Sequence, residues 1–208
     1  MYIVRINVYY VRMTRDRLFA AAKTVLEREG IAGLTIRKVA KRAGMSPMAM
    51  YRHFADKDAL LNALVEDGLA AWEKVVRSLR AEDPMEWLEE LTEAFLDFAL
   101  TQPHRFDAAF FLPAPRARQY PNDFAAGRSP VITMLTVRIE QARADGRIGD
   151  KPALEIALSL SALAQGLVSM HRANRFAGEN QFKNLFRTAL RHGIESFATI
   201  PSDRKSVV

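Results

Sequence analysis

Residues 44–61 read GMSPMAMYRHFADKDALL, and the fold turns on how they are parsed. Ser46 followed by Pro47 is a strong helix start: the hydroxyl can accept an otherwise unpaired amide, and proline at the first helical position gives up no hydrogen bond. The helix that begins there can run only to about Phe54. Asp56 caps a new and longer helix patterned by Leu60, Leu61, Leu64, Trp72, Val75, Val76 and Leu79. Within the short helix Met50 and Phe54 lie four apart and can share a packed face, leaving Pro47, Met48, Tyr51 and Arg52 nearer the exposed side. One face is for a core and the other is free to read something. Met45 and Met50 are assigned to packing.

Upstream, Thr14 is a plausible cap for a helix in which Leu18, Ala21, Ala22, Val25 and Leu26 recur at helical spacing and Gly30 supplies the stop. Thr35 then caps a second helix. Its Ile36, Val39, Ala40 and Ala43 can face inward while Arg37, Lys38, Lys41 and Arg42 face out, and it ends at Gly44. A short helix, a glycine turn and a second short helix are the parts of a helix-turn-helix, whose second helix can enter the major groove of DNA.

Charge agrees with that assignment. The net charge is +6, and residues 1–60 carry 12 Lys/Arg against 5 Asp/Glu, whereas residues 61–208 carry 18 against 19. The basic excess therefore belongs to the N-terminal part, as expected for an anionic partner; a plain solvated basic face is the alternative. Cysteine is absent, which removes disulfides and thiolate metal sites and fits a cytoplasmic protein. No continuous apolar run approaches the roughly 20 residues of a membrane span, so no membrane partner is expected. The first twelve residues, MYIVRINVYYVR, make a poor secretory signal. They read as an arm, or as untranslated sequence if the start is Met13.

Downstream, Asp83-Pro84-Met85-Glu86 has the form of a capping box opening a helix to about Leu100, where Gln102-Pro103 interrupts it. A short helix is expected over Phe106–Phe111, a loop with one helical turn over 112–130, and helices over 131–144, 154–176 and 180–198. No alternating strand pattern follows residue 12. The chain reads as all-α, with an extension (1–13), a three-helix helix-turn-helix head (14–60), a larger helical body (61–200) and a tail (201–208).

The run LTIRKVAKRAGMSPMAMYRHFADKDALL resembles the DNA-binding segment of TetR-type transcriptional regulators, with its glycine turn, its short recognition helix ending in tyrosine, any residue, histidine or tyrosine, then phenylalanine, and the Lys and Leu-rich helix that follows. The resemblance covers about Thr14–Leu64 and implies a role for each matching position. Thr35 and Arg37 would touch the DNA backbone or a base, Lys57 would offer a cation to phosphate, and Tyr51 and His53 would contact phosphate. Ser46, Pro47, Met48, Ala49 and Arg52 would face base edges or adjacent backbone. Arg52 suits guanine O6 and N7, and Met48 a thymine methyl. Ala49 stands where many relatives have a hydroxyl. The alternatives are a solvated Arg52, a core Tyr51 and a helix-terminal His53.

The body is rich in aromatic and methionine side chains. Phe95, Phe98, Phe106, Phe110, Met134 and Met170 can line an apolar cavity or simply fill a core. His104, Gln165, His171 and Arg172 are the polar groups available to orient a ligand there, with His104 as a helix-start residue and Arg172 as a surface charge the alternatives. The resemblance implies a small, largely apolar effector and a homodimer paired through the last two long helices, with Leu160, Leu163, Ala164, Leu167, Leu190, Ile194 and Phe197 at the interface. Two heads would then meet a pseudo-palindromic site on double-stranded DNA. Histidines at 53, 104, 171 and 192 show no metal spacing, and neither a phosphate loop nor a nucleophile elbow is present. No cofactor, metal or catalysis is expected. The reading is a repressor released by its effector, and an architectural, weakly specific DNA-binding protein is the alternative.

Overall fold

The computed structural model describes residues 17–26, 28–30 and 33–199. Thr14, the 1–13 extension and the 201–208 tail lie outside the described residues. Within them the chain is helical without a β-strand, and one isolated antiparallel bridge joins Ile148 to Ala198. The helices are α1 (17–26 and 28–30), α2 (Ile36–Arg42), α3 (Pro47–Tyr51), α4 (Lys57–Val76), α5 (Pro84–Thr101), α6 (Pro103–Phe110), α7 (Asn122–Ala125), α8 (Pro130–Ala144), α9 (Ala153–Arg172) and α10 (Glu179–Glu195).

Two compact units divide the chain: a head unit up to Ala70 together with His104–Ala117, and a body unit of Ala71–Pro103 with the chain from Arg118 onward. The head core is built from the apolar positions of α1, α2, α3 and early α4. Leu18, Ala22, Leu34, Val39, Ala40, Met50, Leu60 and Leu64 are fully buried, and Phe54 is nearly so. Phe19 and Phe54 meet edge to face at 5.9 Å. The Lys23 ammonium reaches the Asp67 carboxylate at 2.9 Å, tying α1 to α4. Helix α6 crosses α4 very closely at Gly68: a Cβ there would lie 2.5 Å from the Arg105 carbonyl oxygen and 2.8 Å from the Ala109 amide. Only glycine fits that crossing.

The body core is aromatic. Trp72 meets Phe95 edge to face at 5.3 Å and Phe98 at 5.4 Å, and Phe95 stacks on Phe186 at 6.3 Å. Phe186 leads to Phe182 at 5.8 Å, and Phe182 stacks on His171 at 4.2 Å. Polar ties also cross this unit. Arg187 pairs with both oxygens of Glu93 at 2.7 and 2.8 Å, and Arg172 donates to the Ala99 carbonyl at 2.8 Å.

Helix boundaries depart from the sequence reading in local ways. Helix α3 ends at Tyr51, yet Met50 O accepts from both His53 and Phe54 (2.8 and 2.9 Å), so one tightened turn carries the chain to Phe54. Helix α4 stops at Val76, before Leu79, with the Ser78 hydroxyl donating to Val75 O at 2.6 Å. Helix α9 ends at Arg172 where 176 was expected, because Asn174 takes the left-handed conformation at φ 54°. By length and composition α9 could cross a membrane, with a mean hydropathy of 1.5. The sequence shows no continuous run there because Ser159, Ser161 and Gln165 interrupt it.

Candidate nucleic-acid interface

Three side-chain caps set the geometry of the head's outer face. Thr35 Oγ1 accepts from the Lys38 amide at 3.2 Å, Ser46 Oγ from the Ala49 amide at 3.2 Å, and Asp56 Oδ1 from the Ala59 amide at 2.7 Å. Each fixes the first turn of a helix at a defined angle to the one before it. Both hydroxyls keep their own O–H for an outside acceptor. Between α2 and α3, Gly44 adopts φ 66°, a conformation that costs glycine nothing.

On α3 the side chains separate as the four-residue spacing requires. Met50 and Phe54 are buried, while Met48 is 75% and Tyr51 51% exposed. Ser46, Pro47 and Arg52 are exposed beside them; Ala49 and His53 are half-buried. Thr35 and Arg37 at the start of α2 are exposed, and Lys57 at the start of α4 is half-buried. None of the ten is buried. Tyr51 is thus not a core side chain, although its neighbour Met50 is.

Charge on this face comes from α2 and the starts of the following helices. Arg37, Lys38, Lys41 and Arg42 are all exposed, and the Lys38 ammonium is paired with Glu29, which balances one of the four. Exposed methionine, tyrosine, serine and arginine on a helix of about one and a half turns, flanked by cations, form a surface that can place apolar and bidentate contacts in a DNA major groove with phosphate contacts on either side.

The effector candidates do not share one unit. His104, Phe106 and Phe110 belong to the head unit, where Phe106 is fully buried and meets Phe110 at 4.7 Å; His104 is exposed. Phe95, Phe98 and His171 stand in the aromatic array of the body; Gln165 is half-buried, and Met170 is 46% exposed. Met134 lines an open groove at α8.

Of the dimer candidates, Leu160, Ala164, Leu167, Leu190 and Ile194 are buried within the chain itself, and Leu163 and Phe197 are half-buried. Gly193 lets α10 approach α9, its Cβ position lying 3.1 Å from Leu160 and 3.2 Å from Leu163. The exposed small and apolar residues of these two helices are instead Ala162, Gly166 and Met170, spaced four apart on α9, and Leu185 on α10. The sequence pattern shows which positions are apolar; it does not show which of two apolar faces meets the chain's own core.

One supporting residue escaped the sequence reading. Arg17 Nη2 donates to Ala43 O at 3.0 Å and so ties α1 to the turn that sets the angle of α3. Its partner is a main-chain carbonyl 26 positions away, which leaves no trace in residue spacing.

Comparison with known proteins covers both the head and the body. Residues 18–64 match the profile described as bacterial regulatory proteins, tetR family, and residues 88–192 match that of the tetracyclin repressor-like C-terminal domain. The chain is 42% identical over 59 residues to the tetracycline repressor protein class A from transposon 1721 of Escherichia coli, covering 28% of this chain and 27% of that one. It is 36% identical over 92 residues to the nucleoid occlusion factor SlmA of Aliivibrio fischeri, covering 43% and 47%. These alignments span between about a quarter and a half of the relatives' length. A solved structure of a protein of unknown function from Rhodococcus sp. RHA1 superposes with a TM-score of 0.69 at 26% identity, covering 89% of this chain and 96% of the other.

Proposed function

The chain belongs to the tetR family of bacterial regulatory proteins, and from that premise we propose that it is a homodimeric, sequence-specific DNA-binding transcriptional regulator of the cytoplasm, a repressor that a small, largely apolar effector releases from a pseudo-palindromic operator. The observation that carries this reading is α3, a one-and-a-half-turn helix with Met50 buried on one side and Met48, Tyr51 and Arg52 exposed on the other.

In this mechanism Arg37, Lys57, Tyr51 and His53, with the Thr35 hydroxyl, bond phosphate oxygens and fix the head on the duplex. Sequence is then read by the few side chains in the groove. Arg52 takes a guanine through O6 and N7, Met48 packs on a thymine methyl, and Ser46, Pro47 and Ala49 fix the closeness of approach. Two heads in a two-fold dimer meet adjacent major grooves, which demands an inverted repeat. An effector held by the body among side chains such as Phe95, Phe98, Met134, Gln165, Met170 and His171, or near His104, Phe106 and Phe110, favours a conformation with the heads wrongly spaced. The difference in effector affinity between the two conformations is the whole driving force.

Selection of binding sites from a random duplex library, with the purified full-length chain at near-physiological salt, tests the reading. An enriched inverted repeat supports it. Salt-sensitive binding with no enriched motif favours the architectural reading, which has its own support in the exposed row of cations on α2 and in the small Ala49 at a base-facing position.

A further inference from the structure

The body unit carries a groove of about 640 Å³ formed by the end of α4 and the residues after it, the first turn of α5 and the middle of α8. Its apolar wall includes Leu79, Trp87, Met134 and Val137, and two guanidiniums, Arg77 and Arg138, line it without any carboxylate. Val137 is 51% exposed, an uncovered apolar side chain at the mouth of the groove.

The two arginines differ. Arg77 is paired with Glu73 at 2.7 Å, so its charge is balanced. Arg138 lies over the Trp87 ring, 5.4 Å from its centre, and donates to the Glu82 carbonyl at 3.0 Å, the Ala81 carbonyl at 3.4 Å and Gln141 Oε1 at 3.2 Å. All of these partners are neutral. The guanidinium is therefore fixed in position by the indole and two main-chain carbonyls, while among the described residues no carboxylate balances its charge. A held cation beside an apolar wall is already arranged for an anion, so little ordering remains to be done on binding.

We propose that this groove is a binding site for a small amphipathic anion: an aryl or alkyl body that lies on Leu79, Met134 and Val137, and a carboxylate or sulfonate that meets Arg138, which the buried Trp87 supports from behind. The volume is that of a small-molecule site, not of a macromolecular docking face. The groove shares Met134 with the effector candidates named above, but its other lining residues are not among them, and it lies outside the aromatic array of Phe95, Phe98, Phe182 and Phe186.

The test uses full-length protein and two fluorescent probes of nearly the same shape, anilinonaphthalene sulfonate, which is anionic, and N-phenylnaphthylamine, which is neutral. Arg138→Gln is expected to weaken the sulfonate on the order of tenfold and the neutral probe less than about threefold. Because Arg138 also braces main-chain carbonyls, two variants at the exposed Val137 give an independent reading. Val137→Lys should tighten the sulfonate about threefold, and Val137→Asp should weaken it by at least as much. Sulfonate affinity that follows neither the charge at 137 nor the loss of Arg138, or no sulfonate binding at all, overturns the proposal. So does a neutral probe that loses as much as the anionic one in Arg138→Gln, since that would mean a purely apolar site.

Discussion

Arg52 is the exposed cation at the C-cap of α3, and its side chain has five donors in a planar fork. If it reads a guanine, Arg52→Ala should cost about 1–3 kcal/mol against the selected site and flatten preference at a single base position, as measured by repeating the site selection with the variant. A solvated Arg52 would leave the selected motif unchanged. Arg37 is expected to behave differently, because a phosphate contact carries no sequence information. Arg37→Ala should weaken all sequences alike and reduce the slope of log affinity against log salt by about 1, read from binding titrations at several salt concentrations. Gly68 is a residue-scale matter of another kind. Any side chain there meets main-chain atoms of Arg105 and Ala109, which cannot swing aside as a flexible side chain would. Gly68→Ala should therefore destabilise the chain by about 1–3 kcal/mol in spite of alanine's better helix propensity. Urea denaturation showing equal or greater stability would mean that α6 does not press on α4 as closely as described.

The starts of α2, α3, α4 and α5 lie where a capping side chain places them, whereas α7 to α10 begin without a side-chain cap. The caps at Thr35, Ser46, Asp56 and Asp83 were legible because each is an oxygen-bearing residue just ahead of a patterned run, and each is seen accepting from an amide two or three positions on. Helix ends were less legible. The stop of α4 at Val76 and the left-handed Asn174 after α9 depend on how the chain turns toward its next partner, and no residue type demands them. The one helical turn expected within the 112–130 loop is α7, but no residue of that loop marks Asn122–Ala125 as its place. Least legible was tertiary closeness: Gly68 looks like any mid-helix glycine until α6 is placed on it, and Arg17 looks like a surface charge until Ala43 O comes into reach. Among the caps, Asp83 adds a pH dependence. Amide donors, that of Glu86 foremost, together with the Arg147 guanidinium, hold its carboxyl below the usual carboxylate range. A carboxyl whose folded pKa is depressed stabilises the fold above its unfolded value, near about 4, and loses that contribution as pH falls through the depressed one. Asp83→Ala should thus lower the thermal midpoint at neutral pH, with the deficit narrowing on acidification below about pH 4. Asp83→Asn, which retains a capping oxygen, should fall between the two. A deficit that stays constant from neutral to acid pH would show that the ionised carboxylate adds nothing to the cap.

At the scale of the whole molecule, the decisive property is the number of chains that meet DNA together, and the structure sharpens how to ask it. Mutating the buried residues first expected at a dimer interface, such as Leu160 or Ile194, would damage the chain's own core and report on folding whatever the oligomeric state. The informative positions are the exposed ones on the same helices. Gly166 and Ala162 lie one turn apart on α9, both exposed, and an added Cβ at Gly166 meets nothing within the chain. Small residues there would let a second copy's helices approach closely, and Met170 and Leu185, each 46% exposed, would supply apolar area at the edge. A charged side chain in the middle of such a surface cannot be desolvated without a partner, so Gly166→Arg should shift sedimentation from dimer to monomer while leaving the helical circular dichroism and cooperative melting of a folded chain. With each head reading half of the proposed inverted repeat, the same variant should lose affinity for the whole site by far more than for a half-site duplex, and the gap measures what coupling two heads contributes. A variant that remains dimeric would move the interface away from this stripe, and a wild-type chain that is monomeric on its inverted repeat would remove the two-fold reading itself.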